Sequence, residues 1–155
     1  MEGDAHRDIP HEDEAINVGG YGAAFKISSP RAVDPATLRS ITGDLVREIA
    51  EACIRSGAKA IGHVKLYLKT HSGYIQADTV GIKYGVRVEG NITRPESTAN
   101  LVVNSIIIGL GKTEVASATL NSIGEVMERY GFSTTQVEEA RGGLRHAGKG
   151  KLSKK

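Results

Sequence analysis

The sequence predicts an α+β fold, a two-layer sandwich in which about five mostly antiparallel strands are covered on one face by two main helices. Its 155 residues, 39% of them hydrophobic and 25% charged, lie within the range of one globular domain. Apolar residues alternate with a period of two in several short segments and recur at helical spacing in two longer ones. The predicted order of elements is β-α-β-β-β-β-α.

The first predicted elements are a strand and a long amphipathic helix. The strand has apolar residues at every second position, at Tyr21, Ala23, Phe25 and Ile27. Asp34 and Pro35 then provide a cap and a first-turn proline, which predicts a helix over about 34–56. Its apolar stripe consists of Leu38, Ile41, Leu45, Ile49 and Cys53.

Further strands are predicted in the middle of the chain, separated by short polar or glycine-containing links, over 60–69, 74–80 and 84–93. The Val- and Ile-rich run 101–108 predicts a fully buried strand. Thr113 is then expected to cap a second helix that ends at Gly131. Residues 133–136 have the spacing of a capping box, which predicts a short third helix before Gly142.

The two ends of the chain carry opposite charge. Residues 1–14 contain six acidic side chains, and residues 141–155 contain six basic side chains and no acidic one. Neither end has apolar periodicity, so burial cannot offset the entropy of ordering. We therefore expect a disordered acidic tail over 1–17, a single domain over 18–141 and a disordered basic tail over 142–155.

Cysteine usage and hydropathy indicate the compartment. The single Cys53 excludes a disulfide framework and any CxxC metal or redox pair. No N-terminal apolar run has the length of a signal peptide or a membrane span, so we expect a cytoplasmic protein that does not bind membranes. Because Cys53 lies on the helix stripe and no base is identifiable for it, we interpret it as a core residue and not as a nucleophile.

Residues 106–114, IIIGLGKTE, resemble a phosphate-binding loop that follows an apolar strand. A P-loop needs Gly, four residues and then Gly-Lys-Ser/Thr, but the residue five positions before Gly111 is Ile106. The pattern also fails as GxGxxG, because Glu114 occupies the third glycine position. We interpret the stretch as a turn from strand to helix, and we predict no cofactor.

Histidines are the other candidate site residues. His6 and His11 stand among carboxylates in the acidic tail, where they would hold a borderline metal ion only weakly. Because an unformed site must order the chain at its own cost, we favour an ordinary solvated tail. His63 and His71 fall at a strand start and in a turn, without a recognised ligand spacing, so we predict no metal site.

A two-layer sandwich leaves one face of its sheet open to water or a partner. Strand parity assigns nine residues to that face: His63, Lys65, Tyr67, Lys69, Tyr74, Gln76, Asp78, Arg87 and Glu89. The predicted register pairs Lys69 with Tyr74, Tyr67 with Gln76, and Lys65 with Asp78 as an opposite-charge pair. We predict a partner-binding face formed by Lys65, Tyr67, Lys69, Tyr74, Gln76, Asp78 and Arg87.

Nucleic acid is an alternative ligand for this face. Tyr67 and Tyr74, among several basic residues, resemble the arrangement by which sheet proteins stack bases and neutralise phosphates. The basic tail would add attraction for a polyanion. However, residues 61–67 lack the RNP1 pattern, and exposed tyrosines and lysines are also ordinary on a solvated sheet.

Two stretches together resemble a known family. Residues 25–38, FKISSPRAVDPATL, lead into a helix and then into residues 61–68, IGHVKLYL. This succession resembles the C-terminal domain of CobW-type proteins, which opens with a strand, an Arg-Pro-Phe-Asp-Pro type of turn, a helix and a strand carrying Arg-Ala-Lys-Gly. Of that last motif only Lys65 matches; His63 stands at the Arg and Leu66 at the Gly. Residues 102–109 resemble the closing strand of that domain.

The resemblance implies a non-enzymatic accessory module. The P-loop GTPase domain and the cysteine-rich metal motif that normally precede this domain have no counterpart in the sequence. What the resemblance implies for the remainder is docking to a P-loop GTPase or to a metalloenzyme. No acid–base or nucleophile constellation is recognisable, so we predict no catalytic residues. Small-molecule enzymology in a pocket between sheet and helices is a third hypothesis, for which the sequence indicates no location.

Overall fold

The computed structural model describes residues 17–140, which form an α+β fold. Its elements in chain order are β1 (Val18–Val33), α1 (Pro35–Arg55), β2 (Ala60–Thr70), β3 (Gly73–Thr79), a 3-10 turn (Ile82–Tyr84), β4 (Arg87–Ile92), β5 (Glu96–Ile108), α2 (Lys112–Tyr130) and β6 (Ser133–Ala140). The predicted tails, over 1–17 and 142–155, lie outside the described residues except for residue 17. Neither helix within 17–140 is long and apolar enough to cross a bilayer.

In the described part of the chain the strands form one six-stranded sheet, in the order β4-β3-β2-β5-β1-β6. Every neighbouring pair is antiparallel. Helix α1 packs over β2 and β3, and α2 packs over β1, so both helices cover the same face. The predicted fold class is confirmed, with one strand more than expected.

The hydrophobic core lies between the helices and the sheet. Strands β2 and β5 place every second side chain in it, as the alternation predicts, and the helix stripes cover these side chains from above. Cys53 is completely buried in this layer, and burial raises the pKa of its thiol to about 11. The thiol is therefore neutral and shielded, which confirms Cys53 as a core residue.

The predicted third helix is wrong, because Ser133–Ala140 form strand β6. This strand pairs with β1, with Ser133 opposite Ser28 and Thr135 opposite Lys26. Without β6, the outer edge of β1 would expose unpaired main-chain groups. The β-branched Thr134, Thr135 and Val137 also suit a strand, so tertiary pairing outweighs the local capping signal.

Three strand boundaries also differ from the prediction. Strand β1 continues through an irregularity after Ser28 to Val33, and β5 begins at Glu96, well before residue 101. The predicted strand over 84–93 is divided into the 3-10 turn and β4. Gly85, with a φ of 78°, lies between the two at the end of the 3-10 turn.

Candidate binding face on the open side of the sheet

The face of the sheet that the helices leave uncovered is called here the open face. The structure places on it all nine residues that strand parity assigned to it, alternating with buried neighbours. The predicted register is confirmed, with Lys69 opposite Tyr74, Tyr67 opposite Gln76, and Lys65 opposite Asp78. Strand β4 then adds Arg87 opposite Asp78. The seven predicted site residues therefore lie together, and their binding role stays a prediction.

Strands β1 and β5 also contribute to the open face, which sequence reasoning missed. Because β5 lies between β2 and β1, Val102 stands between Tyr67 and Ala24, and Asn100 stands between Lys69 and Lys26. The prediction that β5 is buried on both faces is wrong, since Val102 is 45% exposed. An apolar run does not reveal which strands flank it, so no local signal identified these residues.

The centre of the open face is aromatic and apolar. The rings of Tyr67 and Tyr74 lie with their centroids 5.2 Å apart and their planes at 36°. Tyr74 and Val102 both remain substantially exposed. Amide and charged side chains surround this centre in the neighbouring rows, so an apolar middle has a polar rim.

The acidic side chains of the open face are engaged with Arg87. Its Nη2 lies 3.3 Å from Asp78 Oδ2, and its Nε lies 3.5 Å from Glu89 Oε2. Lys65 stands opposite Asp78, but the two form no ion pair, so that part of the prediction is wrong. Arg87 faces Asp78 from the other side, and its planar guanidinium reaches both carboxylates.

Three lysines of the open face have no such engagement. Lys26, Lys65 and Lys69 are exposed, and none forms an ion pair with another residue of 17–137. They lie on β1 and β2, on either side of β5. The middle of the open face is therefore positively charged, whereas toward the β4 edge the single charge of Arg87 offsets one of the two carboxylate charges that it contacts.

The histidines gather no recognisable metal site in the described residues. His63 is half-buried on the open face opposite Ile106, and His71 is exposed in the turn between β2 and β3. Between residues 17 and 140, no three His, Cys, Asp or Glu side chains come close enough together to hold a metal ion. His6 and His11 lie outside the described residues.

The GLGKT stretch forms a tight turn whose amides are used internally. Gly109 has a φ of 98°, and its amide donates to the Asn17 carbonyl at 2.6 Å. The amide of Gly111 donates to Glu114 Oε1 at 2.9 Å. These contacts occupy donors that a phosphate would require.

The start of α2 differs from the prediction in one respect. Thr113 is not the cap, because the helix begins at Lys112 and Gly111 is the capping residue. Gly111 has no side chain with which to cap the helix, but the Glu114 carboxylate accepts from the Gly111 amide and places negative charge in the first turn.

Comparisons with protein-family models, with curated proteins and with solved structures find no match for this chain.

Proposed function

We propose that this chain is a non-enzymatic docking module whose open face binds an acidic patch of a protein partner. The observation that carries the proposal is the division of charge on that face. Asp78 and Glu89 are engaged with Arg87, whereas Lys26, Lys65 and Lys69 have no carboxylate partner in the described residues. A partner with acidic groups around a small apolar centre would complement this arrangement.

The anatomy of the open face supports a protein as the ligand. Tyr67, Tyr74 and Val102 form an exposed apolar centre within a polar rim, as in the interior of many protein interfaces. Strands about 4.8 Å apart give this sheet a width of roughly 24 Å. That width fits a standard interface, which buries about 800 Å² on each partner.

The CobW-type resemblance suggests which partner to test. It implies a P-loop GTPase or a metalloenzyme. Lys65, the residue that matches the family motif, lies in the middle of the open face, opposite Asn104 on one side and Asp78 on the other. If Lys65 contacts the partner, the residue that matches the family motif is also part of the binding surface.

A pull-down with matched variants tests the proposal. The bait is the full chain, and the lysate is the native cytosol. Wild type and the control variant Lys112→Glu, which alters an exposed lysine on the helix layer, should recover a GTPase or a metalloenzyme. The double variant Tyr67→Ser/Lys65→Glu should recover about tenfold less or none of it. Recovery of no such protein, or equal recovery by all three baits, would contradict the proposal.

Single-stranded nucleic acid is a second candidate ligand. The observation that favours it is the Tyr67–Tyr74 ring pair with Lys65 and Lys69 beside it on β2. Sheet proteins use such rings as stacking platforms and such lysines to neutralise phosphates. This ligand class predicts that a short oligonucleotide binds directly and that Tyr67→Ser weakens its binding, which docking of a protein does not require.

Oligonucleotide binding and its salt dependence test the second candidate. If three phosphates are neutralised, log affinity should fall with log salt at a slope of about −2, which is roughly 15-fold between 50 and 200 mM. The measurement is fluorescence anisotropy with a labelled oligonucleotide, and Tyr67→Ser should weaken the binding further. Oligonucleotide that leaves every open-face amide unshifted in an NMR spectrum would eliminate this candidate.

A further inference from the structure

A cavity of about 420 Å³ opens where β2 ends. Strand β2 stops at Thr70 and turns back into β3 at Gly73, whereas β1 and β5 pair one row further, at Ser28 and Thr98. The open face therefore has a step at this end. The polar residues that line the cavity are Lys26, Lys69, Thr70, His71, Thr98 and Asn100.

The cavity is positively charged and rich in hydrogen-bond donors. Lys26 and Lys69 flank Asn100 in one row across three strands, with their main chains about 10 Å apart, or two strand spacings. The lysine side chain is long enough for Lys26 and Lys69 to contact one ligand from the two sides of Asn100. Among residues 17–137, no carboxylate lines the cavity and neither lysine forms an ion pair.

The acid nearest to the cavity in sequence is engaged with the turn between β2 and β3 and with Arg94. Glu96 has only 9% of its side chain exposed, accepts from the Ser72 amide at 2.9 Å and lies 3.8 Å from Arg94 Nε. The Thr70 hydroxyl donates to the Gly73 carbonyl at 3.1 Å and accepts from Ser72 at 3.2 Å. These bonds hold the turn that forms one wall of the cavity in a fixed conformation.

We propose that this cavity binds the phosphate group of a small phosphorylated metabolite. Two ammonium groups, the Asn100 amide, the Thr98 hydroxyl and the His71 imidazole supply donors of the kind that phosphate oxygens accept. The volume lies within the range of about 300–1,000 Å³ typical of small-molecule sites, which leaves room for an organic part beside the phosphate. The cavity lies at one end of the open face and shares Lys26 and Lys69 with the docking proposal, whereas Tyr67, Tyr74 and Lys65 lie outside it, so the two proposals are tested through different residues.

An NMR titration of the full ¹⁵N-labelled chain tests the site. The probes are inorganic phosphate and ribose 5-phosphate, with unphosphorylated ribose and sodium chloride at matched ionic strength as controls. Both phosphates should shift the amides of His71, Thr98 and Asn100 to saturation, and ribose 5-phosphate should bind more tightly. Neither control should shift these amides.

Substitutions that remove charge and keep side-chain length complete the test. Lys26→Gln and Lys69→Gln should each weaken ribose 5-phosphate binding about tenfold, through loss of a charge-assisted hydrogen bond. Lys65→Gln is the matched control, because Lys65 lies on the same face and strand as Lys69 but outside the cavity. All three variants should melt within about 2 °C of wild type, since these lysines are exposed.

Three outcomes would overturn the proposal. The first is an equal response to chloride, and the second is an equal loss of binding in Lys65→Gln and Lys69→Gln, since either would show only diffuse attraction to a positive surface. The third is an oligonucleotide that binds while both small phosphates leave the spectrum unchanged. The docking proposal is tested separately by the pull-down with Tyr67→Ser/Lys65→Glu. Neither Tyr67 nor Lys65 lines the cavity.

Discussion

Asp34 caps α1, a role that its residue type and position in the sequence predict. Its carboxylate accepts from the Thr37 amide at 2.9 Å and caps α1, with Pro35 as the first helical residue, as the sequence predicts. Hydrogen bonding to Thr37, through its side chain and then its backbone, lowers the pKa of the Asp34 carboxyl below its ordinary value. Local chemistry of this kind needs no tertiary partner, which is why it was predictable.

The lowered pKa predicts a pH-dependent contribution of Asp34 to stability. A depressed folded-state pKa contributes stability above the unfolded value of 3.8, and that stability is lost as pH falls through the folded-state pKa. Asp34→Ala should therefore melt below wild type near neutral pH, with the difference shrinking toward about pH 3. Asp34→Asn keeps a capping acceptor and should stay close to wild type near neutral pH.

Thermal melts monitored by circular dichroism across this pH range measure the effect. Both variants should show a shallower acid limb than wild type, because the titrating group is gone. Parallel melting curves for all three proteins would show that the charge on Asp34 does not contribute to the cap.

Lys65 and Asp78 show where prediction at the residue scale ends. Their opposition follows from parity across the tight turn between β2 and β3, so the register was predictable. The ion pair did not form, because Asp78 also faces Arg87 across β4 and bonds to it. Asp78 is flanked by Lys65 on β2 and by Arg87 on β4. Its ion pair with Arg87 depends on the pairing of β3 with β4, which the sequence pattern does not specify.

At the scale of elements, polar contacts join α2 to its neighbours within the apolar layer. Tyr130 donates its hydroxyl to Asp44 Oδ2 at 2.6 Å, which connects the C-terminal end of α2 to α1. The hydroxyls of Ser105 and Thr119 are 3.1 Å apart in the buried interface between β5 and α2. Because hydrogen bonds are directional, these contacts fix the position of the helix more closely than apolar packing alone.

Removal of the Tyr130 hydroxyl tests this connection. Tyr130→Phe should lower the free energy of unfolding by about 1 kcal/mol, since it removes one hydrogen bond to a partly exposed carboxylate. Tyr67→Phe is the matched control, because no hydrogen bond of the Tyr67 hydroxyl is found within residues 17–140. Urea denaturation of the two variants provides the comparison, and equal stabilities would mean that the Tyr130–Asp44 bond contributes nothing measurable.

The contribution of the Tyr130–Asp44 hydrogen bond to stability should be lost at alkaline pH. Its hydrogen bond to Asp44 raises the pKa of the Tyr130 hydroxyl above the ordinary value of 10.0. A raised folded-state pKa contributes stability below the unfolded value, and that stability is lost as pH rises through the folded-state pKa. The advantage of wild type over Tyr130→Phe should therefore persist to about pH 10 and disappear above it.

At the scale of the whole molecule, the two candidate phosphate sites, the GLGKT turn and the proposed cavity, lie near opposite ends of β5. The GLGKT turn follows its C-terminal end, and the cavity lies near its N-terminal end. Asn100 and Gly109 are nine positions apart along this extended chain, which corresponds to roughly 30 Å. A ligand at one end therefore cannot directly perturb the amides at the other.

Titration with ATP or GTP distinguishes the two ends. The amides of Gly109 and Gly111 are engaged with Asn17 and Glu114, so they and Lys112 should stay unshifted. Any shifts should appear instead at Thr98 and Asn100, in the proposed phosphate cavity. Joint movement of Gly109, Gly111 and Lys112 at micromolar nucleotide would contradict the structural role assigned to the turn.

The sequence by itself determined the two helices, the hairpin register and the side chains of β2, β3 and β4 that share the open face. These features depend on periodicity, caps and tight turns, which act over a few residues. The tertiary structure alone decided that Ser133–Ala140 form a strand and that β5 lies between β2 and β1. The physical reason is main-chain pairing across long separations, as between Ser28 and Ser133, which satisfies backbone groups that local signals do not reach. That same strand order brings Lys26, Asn100 and Lys69 into one row, so the cavity became visible only in the folded chain.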